Sequence, residues 1–381
     1  MPVVGVLTDL WPSTSEPHNG PFVRDLTVRM SQRFHEVVLV PKLVLPGLHR
    51  RVWGRDVQGW QHGLERPGAG VRVLRYPMLR IPKGTETSAR VLGSRAVLRL
   101  HGERPDVLHG HFLYAVAPAC VRLAEALNVP ALLTAHGTDV RWLRDRGNDV
   151  RGRDHAEMVD ACLRASGITC VAQWMVEHFV AIGVPEERIA VIPMGVDETV
   201  FRPRARSEVR AQLGLELAAR VVLFIGRATP QKGSEVLREA LSGLDSVRCY
   251  VAGQFGIEGC THLGMLDPES LATWIAAADI VCLPSFSEGM PVSVSESLAC
   301  GTPVVGTAVG GLLEQIREGE NGLLVPPGDA LALRDAMIAA FEREWEGCAI
   351  RASSERFWWR SVTQRFEELV DRLIAAPPSI R

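Results

Sequence analysis

Short apolar runs fit for buried strands alternate with stretches of helical period along most of the chain, and the alternation falls into two blocks. In the first block, residues 3–8 read as an opening strand, 21–34 as a helix entered at Pro21, and 37–40 as a second strand. The intervening loop, 11–20, is polar and ends in Asn19-Gly20, a tight-turn pair. Further strands are expected at 106–108, 131–134, 168–171 and 189–193, with a helix at 174–182. The second block opens at about Ala219 with a strand at 221–225. Strands at 248–252 and 279–283, helices at 268–277 and 330–341, and a closing helix at 358–375 complete it. Strand and helix in alternation predict an α/β chain of open parallel sheets, its two blocks joined near Pro203.

The most informative stretch is 284–306. It follows the strand at 279–283, offers Pro291 as a first helical residue and Gly301 as the left-handed residue past a helix end, and leads into a strand at Val304 and Val305. Glu288 falls in the loop and Glu296 inside the helix, with seven residues between them. In an open parallel sheet, ligands bind outside the carboxyl ends of the strands, and anions sit over helix amino termini. Carboxylates repel phosphate but accept hydrogen bonds from sugar hydroxyls, while Gly289 lets the backbone come close and the helix start supplies N–H donors. The stretch predicts a holder for a sugar attached to a phosphate.

Composition bounds the rest. The 381 residues suggest about two domains, and 46% apolar with 23% charged residues is the balance of a globular protein. A formal net charge of −2 gives no reason to expect nucleic acid. The eight cysteines are scattered without a Cys-x-x-Cys pair, which favours reduced thiols over disulfides or structural zinc. No run of eighteen apolar residues occurs and no secretory leader precedes residue 3, so the expected location is cytoplasmic, with peripheral attachment at the inner membrane face as a variant. No two aspartates stand at Asp-x-Asp spacing, and the expectation is no metal and no cofactor.

The stretch 284–306 resembles the Glu-x7-Glu signature of the retaining glycosyltransferases of family 4. The likeness continues through Gly310-Gly311, through Asn321-Gly322-Leu-Leu-Val-Pro-Pro-Gly328-Asp329, and upstream through Phe224-Ile-Gly226-Arg227-Ala-Thr-Pro-Gln-Lys232-Gly233. It implies the B-type fold, in which two Rossmann-like doubly wound domains face each other across a cleft. The domains would be 1–200 for the acceptor, 201–355 for the nucleotide sugar, and a helix at 356–381 returning to the first. It implies transfer from a nucleoside diphosphate sugar, UDP-sugar favoured over GDP-sugar, to an acceptor hydroxyl with retention. Arg227 and Lys232 would hold the leaving diphosphate, Glu288 the sugar hydroxyls, and Glu296 the nucleotide ribose. Gly20, Gln254, Met265, Gly289, Met290, Pro291 and Val292 complete the expected sugar-donor site. His136 would lie beside the transferred sugar, with His109, His111 and Asp139 on the acceptor side. Most members carry a longer helical insertion where this chain has only 255–262.

The segment 42–104 departs from the neutral average: thirteen bases against four acids, a local charge of +9. Interleaved with Trp53 and Trp60, it suggests a surface for anionic lipid headgroups or an anionic acceptor. The acceptor is a sugar, lipid-linked or soluble, in surface polysaccharide or glycoconjugate assembly, or a soluble natural product or metabolite. Other readings are a nucleotide-sugar epimerase or hydrolase of the same fold, and a metal-dependent hydrolase built on His109, His111 and His136. Hydride transfer is excluded because no Gly-x-Gly-x-x-Gly follows the first strand.

Overall fold

A computed structural model describes residues 1–12, 20–44, 70–79, 86–144, 152–244 and 246–376. Contacts divide the chain into two compact units, Met1–Pro193 with Thr363–Arg381, and Met194–Val362. The division falls at Pro193 and Val362 where the sequence reading put 200 and 355.

Among the described residues, the first unit holds seven strands: β1 (Val3–Leu7), β2 (His35–Val44), β3 (Val71–Leu79), β4 (Val107–His111), β5 (Ala131–Ala135), β6 (Gly167–Cys170) and β7 (Ile189–Val191). All pair in parallel, in the order β3-β2-β1-β4-β5-β6-β7. The central strands β4, β5 and β6 are buried throughout, as both faces of a helix-covered parallel sheet require. The helix entered at Pro21 ends at Met30, earlier than expected, and Phe34 turns into the core with no exposed surface.

The basic segment contains regular structure that its sequence pattern hid. β3 pairs with β2 along its whole length, from Glu36↔Val71 to Val44↔Leu79, and a helix follows at Glu86–Leu100. Several of its bases have internal partners: Arg72 binds Glu103, Arg75 donates to the Pro12 carbonyl at 3.0 Å, and the buried Arg90 binds Asp9. Arg50, Arg51, Arg55, Arg66, Arg80, Lys83, Trp53 and Trp60 lie outside the described residues.

The second unit's described strands are β8 (Arg220–Ile225), β9 (Val247–Ala252), β10 (Thr261–Gly264), β11 (Ile280–Leu283), β12 (Val304–Thr307) and β13 (Gly322–Val325). These too are parallel, ordered β10-β9-β8-β11-β12-β13. The helix Pro268–Ala277 begins at Asp267, whose side chain accepts from Ser270 N at 3.1 Å; Ala330–Glu342 begins the same way at Asp329. Buried Arg210 donates to the carbonyls of Ala277, Leu217 and Ala219 and pairs with Asp279, fixing the entry to β8. The closing helix, Trp359–Ala375, starts in this unit, and the chain counts with the first unit again from Thr363. Among the described residues no helix is long and apolar enough to cross a membrane.

Candidate functional site

Each sheet reverses its strand order once, and an open α/β sheet binds its ligand at that switch point. In the second unit the reversal lies between β8 and β11, so the loops after these strands, carrying Arg227 to Gly233 and Pro284 to Pro291, meet there. Their approach is close: Phe286 N donates to Gln231 O at 2.9 Å, and a Cβ on Gly233, at φ 72°, would stand 1.9 Å from the Pro284 carbonyl oxygen. Only glycine fits that contact.

The contact brings together two of the predicted residues from fifty-six positions apart. Lys232 Nζ donates to both carboxylate oxygens of Glu288, at 2.6 and 2.8 Å. Ser285 Oγ donates to Glu288 Oε1 at 2.6 Å, and Thr307 Oγ1 in turn donates to the Ser285 carbonyl. Glu288 is therefore 8% exposed yet held by a cation and a hydroxyl, as a buried carboxylate must be. Ser285 and Thr307 were not singled out in the sequence; a serine and a threonine at strand ends carry no signal until the chain folds. The Arg227 side chain is exposed and has no hydrogen-bond partner among the described residues, while its carbonyl accepts from Thr229 N at 2.8 Å.

Pro291 stands as the cap of the helix Val292–Ala299, one position before the place predicted for it. Glu296 lies half-buried in that helix, and Gly289 accepts from Gly311 N at 2.9 Å, tying the loop to the Gly310-Gly311 turn. Met290 packs against the apolar core, while Val292 begins the helix half-buried. Gln254 and Met265 are exposed just past the ends of β9 and β10, where Gly253 N donates to the carbonyl of Gly264, the last residue of β10, at 2.8 Å.

In the first unit the reversal lies between β1 and β4, and β4 ends in His111. His109 and His111, two apart on a strand, share a face, with ring centroids 4.2 Å apart. His111 Nδ1 lies 3.1 Å from His136 Nε2, and His109 Nε2 lies 2.6 Å from Thr134 Oγ1. Phe22 and Phe112 flank the His136 ring at 5.0 and 4.4 Å. Phe112 has φ 74°, a left-handed conformation uncommon for an aromatic residue, and its main-chain N donates to Thr134 O at 2.9 Å.

These positions correct the acceptor-side expectations. His109 is 5% exposed and His111 fully buried, and they hydrogen-bond Thr134 and His136 respectively, so neither ring is presented to solvent as expected of an acceptor-side group. Asp139, 1% exposed, accepts from the main-chain amides of Leu113, His136, Gly137 and Val140 at 2.9–3.3 Å. It joins the turn after β5 to the turn after β4. Burial raises its pKa, against the pull of those amides. Burial also pushes His109 and His136 down to about 3, with the neighbouring His109 adding to the effect on His136. His111 falls well below its ordinary value through burial and then through His109 and His136. All three are neutral imidazoles at physiological pH. One nitrogen of each ring is engaged, His109 Nε2 with Thr134 and His111 Nδ1 with His136 Nε2, and among the described residues no group of three His, Cys, Asp or Glu is arranged to hold a metal ion.

Gly20, at φ 69°, heads the helix Pro21–Met30, and a Cβ there would stand 2.6 Å from the Leu10 carbonyl oxygen. That approach accounts for glycine without a ligand. Asn19 lies outside the described residues.

Two doubly wound parallel sheets, the second with a Lys–Glu pair at its switch point, place the protein among the B-type glycosyltransferases. The solved sucrose-phosphate synthase of Thermosynechococcus elongatus superposes with a TM-score of 0.77 at 22% identity, covering 98% of this chain and 100% of that one. Anabaena HepE in complex with UDP does so at 0.72 and 19%, again covering 98% and 100%. A family profile described as Glycosyltransferase Family 4 matches residues 20–200, and one described as Glycosyl transferases group 1 matches 219–343. The D-inositol 3-phosphate glycosyltransferase of Arthrobacter sp. (strain FB24) is 30% identical over 382 residues, spanning 88% of this chain and 89% of its own. A protein of the same description from Mycobacterium bovis is 36% identical over 215 residues, 51% of this chain and 44% of that one. The chain belongs to glycosyltransferase family 4.

Proposed function

We propose that the protein moves a sugar from a nucleoside diphosphate sugar to an acceptor hydroxyl with retention at the anomeric carbon, using no metal and no other cofactor. The observation that carries this reading is the Lys232–Glu288 pair beside exposed Arg227 at the β8/β11 switch point, next to the start of the helix Val292–Ala299. The barrier to transfer is charge separation, as phosphate leaves and the sugar becomes oxocarbenium-like. Arg227, Lys232 and the first N–H groups of the helix stabilise the leaving diphosphate, one cation as a fork and the other as a point charge. Glu288, pre-oriented by Ser285, accepts from hydroxyls of the sugar, Glu296 takes the ribose, and His136 hydrogen-bonds the transferred sugar. The departing phosphate oxygen accepts the acceptor's proton from the same face, so no carboxylate nucleophile is needed. The UDP complex of HepE favours a UDP-sugar over a GDP-sugar.

For the acceptor, the relatives named for D-inositol 3-phosphate, together with the basic segment 42–104, favour a phosphorylated polyol. A sugar acceptor of polysaccharide or glycoconjugate assembly, lipid-linked or soluble, is the second reading. It rests on the same segment, which would then meet anionic membrane. The test is transfer by the purified full chain from UDP-glucose, UDP-N-acetylglucosamine and GDP-mannose to inositol 3-phosphate, with and without EDTA, with the product's anomeric configuration read by NMR. Chelator-insensitive transfer with retention from one UDP-sugar is expected. Inversion, or activity abolished by EDTA, would overturn the mechanism. Failure with inositol 3-phosphate but transfer to a lipid-linked sugar would select the second acceptor.

A further inference from the structure

A cavity of about 10 Å³ lies in the first unit beside β1, β2 and β4. Its walls are mostly apolar, Val4, Val6, Leu26 and Phe366 among them, but Glu36 and His111 also face it. Two other polar groups on the wall are engaged elsewhere: Thr27 Oγ1 donates to Val23 O at 2.8 Å, and His109 Nε2 pairs with Thr134. Glu36 Oε2 and His111 Nε2 are buried without a hydrogen-bond partner. Buried polar atoms are almost always paired, and a cavity of this size has room for one water.

We propose that one water molecule held between Glu36 and His111 fixes the tautomers of the His111–His136 pair, so that His136 presents Nδ1–H as a hydrogen-bond donor. The argument is a count of hydrogens. Burial with no hydrogen-bond partner on Oε2 raises Glu36 well above its ordinary range and favours the protonated acid, whose O–H is then donated to the water in the cavity that Glu36 lines. The water then has two hydrogens of its own, and of the two buried unpartnered atoms on the wall His111 Nε2 is the one left to accept once Glu36 donates. His111 therefore carries its proton on Nδ1 and donates to His136 Nε2 across 3.1 Å. With Nε2 accepting, the neutral His136 carries its proton on Nδ1, the ring nitrogen without a partner among the described residues. No proton is transferred. Glu36 is a positioning residue, and its action on the reaction rests on the role given to His136 above; the tautomers themselves do not.

The experiment is long-range 1H–15N correlation NMR of the full chain labelled at histidine, which reports the protonated nitrogen of each ring. Both His111 and His136 are expected as Nδ1–H in the native protein and in Glu36→Gln, whose amide still donates to the water. In Glu36→Met, which removes that donor, both lose the single tautomer. His111 found as Nε2–H in the native protein, or tautomers unchanged in Glu36→Met, would overturn the proposal. Should Glu36→Met not fold, the native spectrum still decides, together with infrared difference spectra. These must show a carboxylic acid C=O stretch at neutral pH that Glu36→Gln lacks; its absence is a second refutation. In transfer assays kcat is expected to fall at least tenfold in Glu36→Met and to recover to within a few-fold in Glu36→Gln. Tautomers as stated with kcat unmoved would uphold the water site and overturn only the role of His136 in sugar transfer.

Discussion

Lys232 and Glu288 depend on each other before any substrate arrives. A carboxylate 8% exposed needs its cation, and the carboxylate in turn holds in place the lysine to which we assign the diphosphate. Lys232→Ala is therefore expected to abolish measurable UDP binding in isothermal titration and to slow transfer on the order of 100-fold to 1000-fold. Glu288→Gln, which keeps the shape and loses the charge, should slow transfer comparably while retaining more nucleotide affinity. Unchanged UDP affinity in Lys232→Ala would remove lysine from the diphosphate site. At this scale the sequence showed residue type and spacing. It did not show burial, and so His109, His111 and Asp139 looked like groups awaiting an acceptor when all three are buried, His111 and Asp139 hydrogen-bonded to His136 and His109 to Thr134. The alternate spacing of 109 and 111 on a strand was a readable sign that the two rings share a face; which face is solvated was not readable.

Among elements, the loops after β8 and β11 must touch for the site to exist, and Gly233 is where they do. Gly233→Ala would pay about 1–2 kcal/mol for the left-handed backbone, and the 1.9 Å contact with Pro284 O would push the loops apart. A lower urea midpoint together with weakened UDP binding is the expected outcome. A variant that loses stability and binds UDP normally would show that the contact serves folding alone. The strands that the hydrophobic pattern revealed are mainly interior ones, buried on both faces and rich in Val, Ile and Leu. The hidden ones include β3 and β10, each at an edge of its sheet, where β3 is broken by Arg72, Arg75 and Pro77 and β10 is Thr-His-Leu-Gly. An edge strand needs only one neighbour and half a face of apolar residues, so its sequence resembles a loop.

Across the molecule, burial of neutral histidines sets a pH dependence. For His109 and His136 the folded pKa lies at about 3, below the unfolded 6.5, so the unfolded chain takes up protons first as pH falls. Stability is retained above pH 6.5 and lost as pH drops from there towards 3, with His111 acting in the same sense. His109 alone is worth on the order of 4 kcal/mol over that range. Glu36 works oppositely: its raised pKa costs stability as pH climbs from the ordinary carboxylate range through the folded value. Urea midpoints should fall steeply between pH 6.5 and 4, less steeply in His109→Gln, and Glu36→Gln should gain stability at pH 7. An identical pH slope in His109→Gln would contradict the burial argument. The sequence by itself determined the two blocks of alternating strand and helix, most interior strands, and the residue types of the site proposed to hold a sugar phosphate, because periodicity and charge spacing are local properties of the chain. Only the tertiary structure decided which strand order creates a switch point, that Lys232 and Glu288 meet there, and that Glu36 faces His111. Those facts bring together residues 56 positions apart in an ion pair and 75 positions apart on the wall of one cavity, and no local pattern encodes a distance across a sheet.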